Sequence, residues 1–493
     1  MLLLFACVQM PGNDDAETPG PTDAGFRDAA PTDAGPTDTG APTDTGPTDT
    51  GAPTDAGAMD TGAPTDAGAM DTGAPDAGEG APCTRVLTPA DGYAPIESAG
   101  AGDVVCLSAG TYQFRVWLRG NGRADAPITI RAQDPAVRPV FDYTSATHDV
   151  AGWPGSYQSG DAYRSAWRIE GAYYVLDGII IQGANNASNQ WQINDNTAGL
   201  RYLNSTGLTV RNCRLYNNDM GIQGGGSNTL VEATEFDRNG VPNSDQSHNI
   251  YILGGDSFEL RDSYAHDSVG GQNFHVRARR AVLAYNWFEN AGDYEGDMMT
   301  EGTTYDPGNT GTQDLILLGN VFVQNPNPGN GTKFITMYND GGGPNPTFNL
   351  RALWNTFVVR DAGGGNAQGI IQFSRSTLAG GQVEFSNNIV TDVRSAVLLG
   401  TGAGVAHVFG ASNLVAPGST ATGLTASIFA SDPGFVDALG GDYALSASSP
   451  GARAADVTVM PAPRYRFFAR PMPGASLRGA VGARASSAAV GAE

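Results

Sequence analysis

The sequence predicts an all-β fold: a single-stranded parallel β-solenoid, preceded by a disordered linker rich in Pro, Thr, Asp, Ala and Gly. Three observations carry this. From residue 83 onward no helical period is present, and short alternating apolar runs stand between clusters of Gly, Asn and Asp. A small polar residue recurs at Cys213, Thr234, Ser263, Asn286, Asn320, Asn355 and Asn388, at spacings of 21, 29, 23, 34, 35 and 33. Residues 20–80 repeat Pro-Thr-Asp-Ala-Gly and Pro-Thr-Asp-Thr-Gly with almost no large apolar side chain. The coil is expected to be right-handed, from the chirality of crossovers between parallel strands.

Composition narrows the function. Charged residues make up 16% of the 493, and the formal charge is −23. That argues against a nucleic-acid partner, which needs a basic surface. No run of 18 apolar residues exists to span a membrane. Four cysteines are too few for a disulfide scaffold.

The chain divides into four parts. Residues 1–7 end in Leu4-Phe5-Ala6-Cys7, which resembles a bacterial lipobox, whose cysteine is lipidated after signal cleavage. The basic segment and the longer apolar run of a full signal are missing, and a start placed upstream would supply both. Residues 8–82 are the acidic stalk, with fifteen acidic residues against Arg27 alone. Such a segment cannot bury enough surface to offset chain entropy, and like charges extend it. Lipid on Cys7 would make it a tether, so the expected location is exported, at the cell surface or outer membrane as a lipoprotein, or extracellular. The membrane is touched only through that anchor, and a monomer is expected.

Residues 83–455 form the coil. Three residues before each anchor lie Val210, Val231, Leu260, Leu283, Leu317, Ala352 and Phe385; two after lie Leu215, Phe236, Ala265, Phe288, Phe322, Phe357 and Val390. Weaker copies centre on Ile179 and Asn413. Stacked rungs bring equivalent residues into columns about 4.8 Å apart, where Asn amides can hydrogen-bond along the axis. Cys213 sits in that column as a small buried filler rather than a nucleophile. Cys83 and Cys106 are a candidate disulfide pinning the start of the coil, the alternative being two separate buried thiols. Residues 456–493 read as a cap strand followed by a disordered, arginine-bearing end.

Three stretches carry a family resemblance. Gly102-Asp103-Val104-Val105-Cys106-Leu107-Ser108-Ala109-Gly110-Thr111-Tyr112 looks like a first rung, and Ala126-Pro127-Ile128-Thr129-Ile130-Arg131-Ala132 like a second. Asp442-Tyr443-Ala444-Leu445 with Ser449-Pro450-Gly451-Ala452 looks like a last rung. Over about residues 83–455 the chain resembles the right-handed parallel β-helix proteins of the pectate-lyase-like superfamily. Ser247-His248-Asn249-Ile250-Tyr251-Ile252, with Ser263-Tyr264-Ala265-His266 and Val276-Arg277-Ala278-Arg279, resembles a bacterial subgroup of extracellular members. The resemblance implies export and a carbohydrate ligand. It assigns no catalytic residue, because one fold hosts many chemistries.

Another strand of each rung aligns as well. Ile250 and Ile252 match Phe274 and Val276, then Gly296 and Met298, Ile335 and Met337, Ile371 and Phe373, all expected to point inward. The period of two then turns Tyr251, His275 and Asp297 outward on adjacent rungs, with Arg277 beside His275. Inserted loops around 240–247, 290–313 and 324–332 are placed to wall a groove over them.

The chemistry that suits this set best is β-elimination on a uronic-acid polysaccharide. Arg277 would clamp the carboxylate. His275 or Tyr251 would serve as base or acid. Asp297 would orient His275, or bind Ca²⁺ with Glu295 and Glu301. Asn249, Asn273, His248, Lys333 and Tyr338 are candidate substrate contacts. Two alternatives stand beside this lyase: a non-catalytic carbohydrate-binding or adhesive surface protein, and a glycoside hydrolase using two of Glu295, Asp297, Glu301 and Asp306.

Overall fold

The computed structural model describes residues 81–144, 165–185, 197–244, 246–299, 312–324, 333–338, 347–360, 369–373, 381–399, 407–467, 469–484 and 488–492. Cys7, residues 8–80 of the stalk, Glu301 and Asp306 lie outside them, as does the side chain of Tyr338.

The described chain winds into a right-handed parallel β-helix of three sheets. In chain order within a rung, the first sheet has thirteen strands, from Arg85–Leu87 to Leu424–Thr425. The second has twelve, from Thr111–Tyr112 to Ile428–Phe429, and the third ten, from Val116–Leu118 to Leu398–Leu399. One rung runs Ser257–Arg261, Tyr264–His266, Phe274–Val276, and the next begins at Arg280–Ala284. Each strand pairs in parallel with its counterpart one rung on.

The recurring polar anchor marks the bend between the first and second sheets. The residue just before it takes a left-handed conformation, as at Asn212 (φ 52°), Asp262 (φ 53°) and Asn387 (φ 61°). That turns the chain sharply within two residues and points the next side chain inward. The inward amides then form a ladder. Asn286 Nδ2 donates to Asn320 Oδ1 (3.0 Å), Asn320 to Asn355 (2.9 Å), Asn355 to Asn388 (3.1 Å) and Asn388 to Asn413 (3.0 Å). Each amide also donates to a backbone carbonyl, so buried polar groups are paired. Cys213 continues the column as a buried thiol pushed up to about 12 by burial. Beside the ladder, Phe288, Phe322 and Phe357 stack at 5.0 and 4.7 Å between ring centres. The spacing irregularities are loops inserted between sheets, which leave this column unbroken.

Cys83 and Cys106 are joined by a disulfide. Arg85–Leu87 pairs with Val104–Leu107, so one strand precedes the stretch that resembles a first rung.

Two expectations at the other end need correction. Asp442–Leu445 is not a rung: it pairs antiparallel with Phe435–Asp437. Its Tyr443 lies against Trp287, 5.5 Å between ring centres, on the outer face of the second sheet. Nor is the arginine-bearing segment that follows a loose end. Phe467, Leu477 and Ala492 join Tyr264, Trp287, Val321, Val323 and Val358 in one apolar cluster. Arg470 pairs with Glu289 (2.7 Å) and Arg478 with Asp177 (3.4 Å), both on the coil. Arg470 and Arg478 are thus countercharges for acids of the coil.

Candidate functional site

The site is built on the third sheet, where the pleat decides which residues face out. Ile250, Ile252, Phe274, Val276, Met298, Ile335 and Met337 all belong to the interior cluster. Their neighbours therefore project from the outer face. Cα register runs Tyr251 to His275, His275 to Asp297, and Asp297 to Thr336. Upstream it runs Trp117, Arg168, Arg201, Gln223 and then Tyr251. Extending the strand alignment to Ala198–Thr206 and Met220–Ser227 would have exposed this upstream half of the column.

The central residues interact. Arg277 Nε donates to His275 Nε2 at 3.1 Å. His275 Nδ1 lies 3.2 Å from Asp297 Oδ2. Tyr294, which the sequence did not single out, donates its hydroxyl to Asp297 Oδ1 at 2.7 Å. Lys333 caps the Tyr294 ring, its Nζ 4.1 Å from the ring centre. The rings of Tyr251, His248 and His275 form a triangle, with centres 4.7 to 5.1 Å apart. Arg277 stands 5.4 Å from the centre of the Tyr251 ring.

Outward does not mean exposed here. His275 is 4% exposed and Asp297 1%, whereas Tyr251 and Lys333 are half-buried. Burial holds the His275 imidazole well below its ordinary value, and the Arg277 guanidinium pushes the same way. His248 is depressed too, by burial first and then by His275 and Arg277. Both rings are neutral at neutral pH. Burial also lowers the Lys333 ammonium, against the pull of Asp293 and Asp297.

Three expected site residues face the interior instead. Asn249 and Asn273 occupy a second amide ladder where the chain enters the third sheet. It runs Asn218, Asn239, Asn249, Asn273 and ends on Glu295, with links of 2.9, 2.8, 2.7 and 2.7 Å. Asn249 and Asn273 begin no alternation, because they still belong to the bend, where an inward amide satisfies the turn. They are supports of the site, not substrate contacts. Glu295 is fully buried, takes the Asn273 amide, and is pushed up to about 8 by burial. A carboxyl turned into the coil and engaged in a ladder is out of reach both of a Ca²⁺ ion shared with Asp297 and of a glycosidic bond outside.

Among the described residues, three metal-ligating side chains converge elsewhere, at Glu235, Asp237 and His266 on the second sheet. Arg214 pairs with both carboxylates there, Arg238 pairs with Asp237, and Gly474 N–H donates to Glu235, so the group is neutralised by the protein itself.

No family model matches the chain, and no curated protein matches it. Solved structures of similar fold include pectate lyase Pel9A, at 14% identity over 84% of this chain and 97% of that one, TM-score 0.48. A PL6 family polysaccharide lyase from Pseudopedobacter saltans is 13% identical over 71% and 92%, TM-score 0.40. An alginate lyase from Paenibacillus sp. str. FPU-7 is 14% identical over 69% and 98%, TM-score 0.35.

Proposed function

We propose that the protein binds an acidic polysaccharide on the outer face of the third sheet and cleaves it by β-elimination. The observation that carries this reading is the Tyr251–His275–Arg277–Asp297 cluster, in which a guanidinium is anchored beside a half-buried phenol. Arg277 neutralises the carboxylate of a uronate residue, which makes its C5 proton acidic. Tyr251, as phenolate, takes that proton. The electron pair forms the C4–C5 double bond as the C4–O bond breaks, and the phenol returns the proton to the leaving oxygen. His275 is the weaker candidate for the proton, because Arg277 already uses its Nε2 lone pair. It positions Arg277, and Asp297 positions it. Lys333 supplies a second cation toward the next carboxylate.

The burial of His275 and Asp297 favours one alternative, a site that binds acidic glycan without turning it over. Mixing the purified protein with polygalacturonate, alginate and other polyuronates separates the two. A lyase produces the ultraviolet absorbance of an unsaturated uronate. A binding module is retarded on an affinity gel containing the polymer and produces none. If neither occurs with any polyuronate, the reading fails.

For location, we propose export with a lipid on Cys7 and residues 8–82 as a stalk, in keeping with a disulfide at Cys83 and Cys106. Cys7→Ser should then leave the membrane fraction, and retention there would count against lipidation.

A further inference from the structure

Gln223 and Thr336, two uncharged side chains of the outer column, each bury a polar atom that meets no partner among the described residues. Gln223 is 5% exposed and its Oε1 meets no hydrogen-bond partner among the described residues. Thr336 is 3% exposed and its Oγ1 is likewise unpartnered among them. They stand at opposite ends of the cluster. Gln223 is in register with Tyr251 on one side, and Thr336 with Asp297 on the other. Buried polar atoms are nearly always paired. An unmet one costs about 1–3 kcal/mol. The two amide ladders of the interior honour that rule. Gln223 and Thr336 flank the Tyr251–His275–Asp297 cluster on its outward column, where a partner can come from outside.

We infer that Gln223 and Thr336 are the terminal contacts of an extended binding site and receive hydroxyl groups of a sugar chain laid along the coil axis. This rests on the polysaccharide reading above. From Gln223 through Tyr251, His275 and Asp297 to Thr336 is four rung steps, about 19 Å at the inter-strand spacing, which is the length of about four extended hexuronate residues. An amide and a hydroxyl have no charge to offer a carboxylate. They can exchange hydrogen bonds with ring hydroxyls, which Arg277 and Lys333 do not need to recognise. The cations set the acidity of the ligand; the two end residues measure its length.

The test uses the full chain with galacturonate, mannuronate and guluronate oligomers of two, four and six residues, read by calorimetry. The parent should gain affinity from dimer to tetramer and little beyond. Gln223→Met and Thr336→Val each remove the unmet atom with little change of shape, and should weaken tetramer binding about 5- to 30-fold, as expected for one or two buried hydrogen bonds. Dimer affinity should not move. Neither variant should melt below the parent, because replacing an unpaired buried polar atom by an apolar one relieves a penalty. If the parent binds oligomers but tetramers no better than dimers, or if both variants bind tetramer like the parent, the two atoms are packing defects and the inference fails while the polysaccharide reading stands. If the parent binds no oligomer in the set, the polysaccharide reading fails and takes this inference with it.

Discussion

The Nε–H of Arg277 donates to Nε2 of His275 at 3.1 Å, which fixes the tautomer of the imidazole. Its proton is left on Nδ1, on the side of Asp297. The histidine therefore works as a spacer between a cation and a carboxylate. Arg277→Ala should raise the His275 pKa, since one of its two depressing influences disappears, yet leave it below the ordinary 6.5, since burial is the larger one. Titration of the ring by NMR reads this directly. The same variant should bind acidic polymers at least tenfold more weakly while neutral glycans are unaffected, the size expected for one lost charged hydrogen bond.

Tyr251→Phe keeps the ring against His248 and His275 and removes only the exchangeable proton. Turnover of the acidic polymer should fall about 10²- to 10⁴-fold, the range for a lost general acid or base. Affinity measured on a gel should change little. Parent-like turnover would move the proton transfer to another group.

Glu295 makes a pH signature of its own. Its folded value, about 8, stands above its ordinary 4.5, so the stability it contributes is full below about pH 4.5 and is lost as pH rises through 8. Glu295→Gln keeps an acceptor for Asn273 and carries no charge. The variant should gain on the parent steadily between pH 5 and pH 8 in urea unfolding. A difference that is the same at both pH values would show that Glu295 does not titrate in this window. His248 and His275 act in the opposite sense. Neutral when folded, they let stability fall as pH drops below about 6.5.

Asn355 accepts from Asn320, donates to Asn388 and donates to the Leu317 carbonyl. Asn355→Ala leaves buried donors and acceptors unmet on both neighbouring rungs and should destabilise by about 2–4 kcal/mol. A loss under 1 kcal/mol in equilibrium unfolding would mean that water replaces the amide.

Much of the fold was legible because stacking repeats its demands. The anchor column and the apolar positions around it recur on every rung, so the bend and the inward faces of the second and third sheets could be aligned without coordinates. The Tyr251–His275–Asp297 register followed from the same alignment. Asn249 and Asn273 were misread because the period of two was extended into a bend, where it does not apply. Tyr294 was missed because it lies before the strand, outside any alternation. The C-terminal segment was missed because its partners, Asp177, Glu235 and Glu289, are some 180 to 300 residues away in sequence. Nothing local in a run of Arg and Pro says which acids it will meet.

That segment alters how the coil can come apart. A solenoid whose rungs touch only their neighbours can fray from either end and fold from any point. Here residues near 478 grip the rung of Asp177, and Gly491 and Ala492 return to Asn387 and Thr356. One rung cannot be peeled away on that side until the strap has been lifted from several others. Opening becomes closer to all-or-none, and proteolysis of the native coil should be correspondingly slow. Assembly is delayed by the same connection. Arg478 closes on a rung some 300 residues earlier in the chain, a long-range closure that slows folding.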